Sequence, residues 1–138
     1  MKTYFVDTNV FVHTLFTVSP REHAACVKLF ALAAKDAVHV WTTSWVLAEL
    51  VWLLMRQKMS RAEIRRLLLV VIASEGLDVL DRDVIMDALD GWGERLDFID
   101  SMNVVLAKKN GIGQVISFDK DFDGLPDIER FEPKQIVQ

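Results

Sequence analysis

Thr3-Tyr4-Phe5-Val6 runs directly into Asp7-Thr8-Asn9 and then Val10-Phe11-Val12. The first four residues make a short apolar strand. The next three carry side chains that cap helices, and the apolar spacing beyond them predicts a helix over about 10–16. A strand that passes at once into a capped helix is the first half of a βα unit, and an acid stands at the turn between them.

The same grammar repeats along the chain. Ser19 at a cap position with Pro20 in the first turn opens a helix to about Lys35. Val38–Trp41 is a second strand, and Thr42, Thr43 or Ser44 caps a third helix to about Lys58. Ser60 with Glu63 three residues on has the form of a capping box and starts a helix to about Ser74. Leu77–Leu80 is a third strand, followed by a helix over 83–89. Phe98–Lys109 is helical and ends at Asn110-Gly111. Gln114–Ser117 is a fourth strand, with an edge strand near Arg130. Short apolar strands alternating with helices imply an α/β sandwich with a mainly parallel sheet. Sites in such sheets lie beyond the carboxyl ends of the strands.

Size and composition suit one globular domain spanning 1–138. Of 138 residues, 51% are hydrophobic, enough for a core, and 26% are charged. The net charge of −4 argues against a protein that holds a polyanion by bulk charge alone. Cys26 is the only cysteine, so neither an internal disulfide nor a cysteine zinc site can form. The N-terminus has no signal-peptide pattern, and the uncharged run around 41–55 is too short to span a bilayer and is broken by Glu49. The expectation is a soluble, cytoplasmic protein with no membrane partner.

Several acids stand where a strand ends or a helix begins. Asp7 is either a cap or a site residue. Glu49 is the only charged side chain between His39 and Arg56. A helix so apolar reads as buried, and a carboxylate there needs a metal, a buried cation or a proton. Asp97 suits the cap of the 98–109 helix, and Asp100 shares a helical stripe with Asn103 and Ala107. Asp119, Asp121 and Asp123 follow the fourth strand. They resemble the front of an EF-hand loop, but Arg130 stands where the bidentate Glu belongs and Pro126 interrupts the loop. All-oxygen donors of this kind suit Mg²⁺ or Mn²⁺. The densest basic stretch, Arg56, Lys58, Arg61, Arg65 and Arg66, is either a phosphate contact or a solvated helix face. The three histidines are read as structural, and the four tryptophans as core or interface.

Four segments in this order resemble the PIN-domain family, above all the toxin ribonucleases of toxin–antitoxin pairs. They are Val6-Asp7-Thr8-Asn9, Leu47-Ala48-Glu49-Leu50, Asp97-Phe98-Ile99-Asp100 followed by Ala107, and Ser117-Phe118-Asp119-Lys120-Asp121-Phe122. The resemblance implies a parallel sheet of order 3-2-1-4-5 between helices and Mg²⁺- or Mn²⁺-dependent endoribonuclease activity. It also implies a homodimer and a cognate antitoxin. By position, Asp7, Glu49, Asp100 and Asp119 correspond to the family's acidic set, with Asp7, Asp100 and Asp119 toward metal and Glu49 toward water. Thr8, Asn9 and Ser117 match its polar neighbours, and Asp97 and Asp121 are second candidates for the direct contacts. Two other outcomes remain open within that resemblance: a non-toxin RNA-processing nuclease, and a catalytically weak RNA-binding or scaffold module. A phosphatase or receiver-type domain fits less well, since Asp7 has no acidic pair beside it and Lys120 is poorly placed.

Overall fold

The computed structural model describes residues 1–137. It contains two compact units, Met1–Met86 and Asp87–Gln138.

The first unit is built from β1 (Thr3–Phe5), α1 (Thr8–Leu15), α2 (Pro20–Ala34), β2 (His39–Thr43), α3 (Ser44–Arg56), α4 (Arg61–Ile72) and β3 (Leu77–Leu80). The three strands form one parallel sheet in the order β1-β2-β3, with Thr3 opposite His39 and Val40 opposite Leu77. In β2 the buried residues alternate, Val40 and Thr42, as a strand with one covered face requires. The helices pack on one another and on the sheet around Leu47, Leu50, Leu54, Ile64 and Leu68, all fully or almost fully buried. Each such side chain contributes about 1.5–3 kcal/mol of transfer free energy. Phe11 and Phe30 join α1 to α2 with ring centres 5.7 Å apart. At the start of the sheet, the His39 ring crosses all three strands. Its Nδ1 lies 3.2 Å from Thr3 Oγ1 and its Nε2 lies 2.7 Å from Asp78 Oδ2.

The local stop and start signals act as the residues dictate. Ser19 Oγ accepts from Glu22 N, Thr43 Oγ1 from Val46 N and Ser60 Oγ from Glu63 N. One close approach has no side-chain signal. Gly76, with φ +79°, lies against the last turn of α2, where an added Cβ would sit 2.2 Å from the carbonyl oxygen of Ala33.

A further helix, α5 (Arg82–Asp90), carries the chain into the second unit, which adds α6 (Phe98–Lys109), β4 (Gln114–Ile116), β5 (Glu129–Phe131) and α7 (Pro133–Ile136). β4 and β5 pair in parallel, Val115 opposite Arg130. A single 3-10 turn over Lys120–Phe122 lies between them and buries Phe122. Asn110 ends α6, Gly111 takes φ +74°, and Ile112 N donates to Ala107 O at 2.9 Å. Trp92 and Phe98 meet edge to face at 5.2 Å.

The fold is therefore α/β, with parallel strands flanked by helices. Of the implied order 3-2-1-4-5, the run 3-2-1 is found in one sheet and 4-5 in the other. The short helix at Pro133–Ile136 has no counterpart in the sequence reading. Its four residues are too few to show a period, and it is held by a hydrogen bond from Glu132 N to Gln135 Oε1 at 2.6 Å.

Candidate active site

In the first unit, β1 delivers Asp7 to the N-cap of α1. Asp7 Oδ1 accepts from Thr8 N at 2.8 Å, so the carboxylate does cap the helix. Thr8 itself is buried, 4% exposed, and its hydroxyl stands between two acids. Thr8 Oγ1 lies 3.0 Å from Glu49 Oε2 on α3 and 3.5 Å from Asp7 Oδ1. A hydroxyl has one proton to give, and the shorter contact takes it. A strand end and a helix 41 positions away in sequence are thus joined through one side chain. Asn9 is exposed in the first turn of α1.

The expectation for Glu49 is corrected here. Its side chain is exposed, not buried. The α3 segment is apolar in composition but not on every face. Trp45, Glu49, Trp52 and Arg56 recur at helical spacing on one open stripe, while Val46, Leu47, Leu50, Val51 and Leu54 are buried. Of the core-or-interface reading of the tryptophans, the core alternative is corrected with it for Trp45 and Trp52, which are 70% and 49% exposed. The Arg56 guanidinium lies over the Trp52 ring, 4.8 Å from its centre.

In the second unit, Asp97 caps α6, with Oδ1 accepting from Asp100 N at 2.9 Å. Asp100 instead lines a hollow of about 310 Å³ with Asn103, Ala107, Ser117 and Phe122. Burial, then the carboxylates of Asp97, Asp119 and Asp121, raise its pKa above the ordinary value. That crowding puts the Asp100 carboxylate within the fields of three other acids. Asp119 caps the 3-10 turn through Oδ1 to Asp121 N at 2.9 Å, and its own N–H donates to Ser117 Oγ at 3.0 Å. Asp123 is occupied otherwise. Arg130 Nε donates to it at 2.8 Å, which lowers the Asp123 pKa, and Arg130 Nη1 donates to Ser117 O. The residue that breaks the EF-hand pattern is thus an ion-pair partner within the loop, a pairing no local pattern announces.

Asp7, Asp97 and Asp119 each spend one named oxygen, Oδ1, on a cap. Capping and cation binding are therefore compatible in one carboxylate. Among the described residues, no three of His, Cys, Asp and Glu stand close enough to hold a metal ion as they lie. By chemistry the donors fit a hard cation, because all are carboxylate oxygens and the repulsion at Asp100 is the kind a cation relieves.

A stability prediction follows from Asp100. Its carboxyl binds a proton more tightly in the folded chain than at its ordinary value of 3.8. The charged form therefore costs stability above the raised value, and that cost fades as pH falls through it. With divalent ions chelated, Asp100→Asn raises stability at pH 7 by about 0.2–0.3 kcal/mol, through lost desolvation and lost like-charge repulsion that solvent largely screens at this partly buried site. The gain disappears in melts below pH 3.8. An equal gain at every pH would show that charge is not its cause.

The family model described as "PIN domain" matches residues 4–128. No curated protein matches the chain. Among solved structures, it is similar to VapC20 of Mycobacterium tuberculosis, described as a sarcin-ricin loop cleaving toxin. The two are 22% identical over 90% of this chain and 97% of that one, with a TM-score of 0.38.

Proposed function

This chain belongs to the PIN-domain family, and from that premise we propose that it is a divalent-metal-dependent endoribonuclease, the toxin of a toxin–antitoxin pair. The observation that carries the reading is the Thr8 hydroxyl between the carboxylates of Asp7 and Glu49. Two acids from distant parts of the chain are bonded to one residue, Asp7 through the Thr8 N–H and Glu49 through the Thr8 hydroxyl, and both are open to solvent. A helix cap alone has no use for Glu49.

In this reading Asp7, Asp100 and Asp119 are the metal-facing acids, with Asp97 and Asp121 as alternates. Mg²⁺ or Mn²⁺, when bound, supplies charge against the phosphate oxygens and acidifies water. Glu49 takes the proton from the attacking water. Thr8 donates to Oε2, which fixes the carboxylate and leaves Oε1 to receive that proton. Attack at phosphorus breaks the bond to the 3′ oxygen, which takes a proton from solvent water and leaves as a hydroxyl, and the phosphate stays on the 5′ end. Asn9 and Ser117 are polar neighbours that orient water or substrate.

Incubating the full chain with structured RNA tests this directly. Cleavage requires Mg²⁺ or Mn²⁺, stops with EDTA and gives 5′-phosphate ends. Hydrolysis of a phosphomonoester with RNA left intact would favour a phosphatase instead. The toxin role predicts growth arrest on expression, relieved by the product of a neighbouring small reading frame. Homodimerisation and a cytoplasmic location belong to the same proposal. Among the described residues no helix is long and apolar enough to cross a membrane.

Arg56, Arg61, Arg65 and Arg66 are proposed to contact the RNA backbone. Changing Arg61, Arg65 and Arg66 together to Ala lowers affinity and reduces the slope of log affinity against log salt by about 2, roughly 0.7 per lost contact to a single strand. An unchanged slope would make them ordinary surface.

A further inference from the structure

The stripe on α3 has a use beyond Glu49. Large apolar side chains on a monomer surface are unremarkable singly but informative in a row. Here Trp45 is 70% exposed and Trp52 49% exposed, and both lie on the stripe that carries Glu49. The Arg56 guanidinium lies over one face of the Trp52 ring, 4.8 Å from its centre, and puts a positive charge at that end, so a base would stack on the other face.

We propose that Trp45 and Trp52 are stacking platforms for two unpaired nucleobases of the RNA substrate, bracketing Glu49 so that the linkage between those bases runs past its carboxylate. The proposal rests on the nuclease reading above and adds to it which side chains hold the substrate and in what form. Indole faces accept any base, and each stacked base is worth roughly a 5- to 150-fold gain in affinity. The two residues are seven positions apart, a rise of about 10 Å along the helix axis. Stacked bases in one strand of a duplex are ~3.4 Å apart. Bases on both platforms must therefore be splayed, a geometry open to loops and single strands but closed to paired RNA.

A second copy of the chain is the rival occupant. The centre of a dimer interface is normally depleted of charge. This stripe has a carboxylate between its two aromatic residues, exposed to solvent and tied by hydrogen bond to Thr8 at the start of α1, and burying it without a cation is costly. A splayed strand can contact the two rings and leave the space around Glu49 wet.

The test uses the full chain carrying Asp7→Asn, so that RNA survives the titration. The probes are a stem–loop oligonucleotide and the loop sequence annealed to its complement. The stem–loop quenches tryptophan fluorescence and binds more tightly than the duplex. Trp45→Ala and Trp52→Ala each weaken stem–loop binding roughly 5- to 100-fold. The salt slope stays unchanged, because stacking releases no counterions, and Trp→Phe at either position restores part of the loss. In the active chain the same changes raise KM more than they lower kcat. Both rings are exposed, so unchanged thermal melts verify folding. Equal affinity in the alanine variants overturns the proposal and leaves the nuclease reading standing if cleavage persists. A wild-type dimer that Trp45→Ala or Trp52→Ala turns into a monomer also overturns it, in favour of a second copy on this face. A wild-type chain that neither binds nor cuts RNA overturns both readings.

Discussion

Asp7→Asn lowers RNA cleavage by about 100-fold or more and leaves the melting temperature within about 3 °C of the wild type. The substitution separates the two uses of this side chain. Asn is as good a helix cap as Asp, so the bond from Thr8 N at 2.8 Å survives through the amide oxygen. What disappears is the negative charge. If Asp7 only capped α1, the exchange would cost almost nothing in either measurement. Asp7→Ala removes cap and charge together and adds about 1 kcal/mol of lost stability to the same loss of activity. RNA cleavage by the Asn variant at the wild-type rate, in a metal-supplemented assay, would falsify the assignment of Asp7 to the reaction.

The largest effect on stability is expected far from any acid. Gly76→Ala destabilises the chain by about 2–5 kcal/mol and lowers the melting temperature by about 10 °C or more. Two costs combine. At φ +79° an alanine pays the left-handed penalty, and its Cβ would lie 2.2 Å from the backbone oxygen of Ala33. That oxygen belongs to the last turn of α2 and cannot swing aside like a side chain, so the helix or the strand entry must move. Gly76 O also accepts from Val40 N at 3.2 Å, which couples any shift to β2. Gly111→Ala is the control. Gly111 has φ +74° but open space where the Cβ would go, so it pays only the backbone term, about 1–2 kcal/mol. Equal losses at the two positions in denaturant melts would show that the contact with Ala33 is not tight.

The two substitutions also mark where sequence reading ends. Ser19-Pro20, Ser60 with Glu63, and Asn110-Gly111 announce helix ends because the chemistry of a cap is completed within four residues. Leu77–Leu80 is a strand in the sequence and in the structure alike, because a short apolar run bounded by turns leaves little else for it to be. Asp7 at the end of the first strand, and Asp97 at the start of the 98–109 helix, are legible for the same reason. The family pattern of acids is legible as an order along the chain.

Nothing local reveals which face of a helix is covered. The α3 segment shows that limit. Its composition reads as apolar throughout, so Glu49 reads as buried. Packing instead covers the side formed by Val46, Leu47, Leu50, Val51 and Leu54 and leaves Trp45, Glu49 and Trp52 open. Neighbours distant in the chain likewise come from the fold alone. Thr8 meets Glu49, Arg130 meets Asp123, and Ala33 closes on Gly76. In each case the partner is chosen by how elements stack, and a short-range pattern carries no record of it. By itself the sequence determined the succession of strands and helices, their caps and the acids at their ends, since those are decided by neighbours within a turn. The tertiary structure decided which acid a hydroxyl holds, which aromatic rings face solvent and which glycine has no room for a methyl group, since those depend on surfaces brought together from far along the chain.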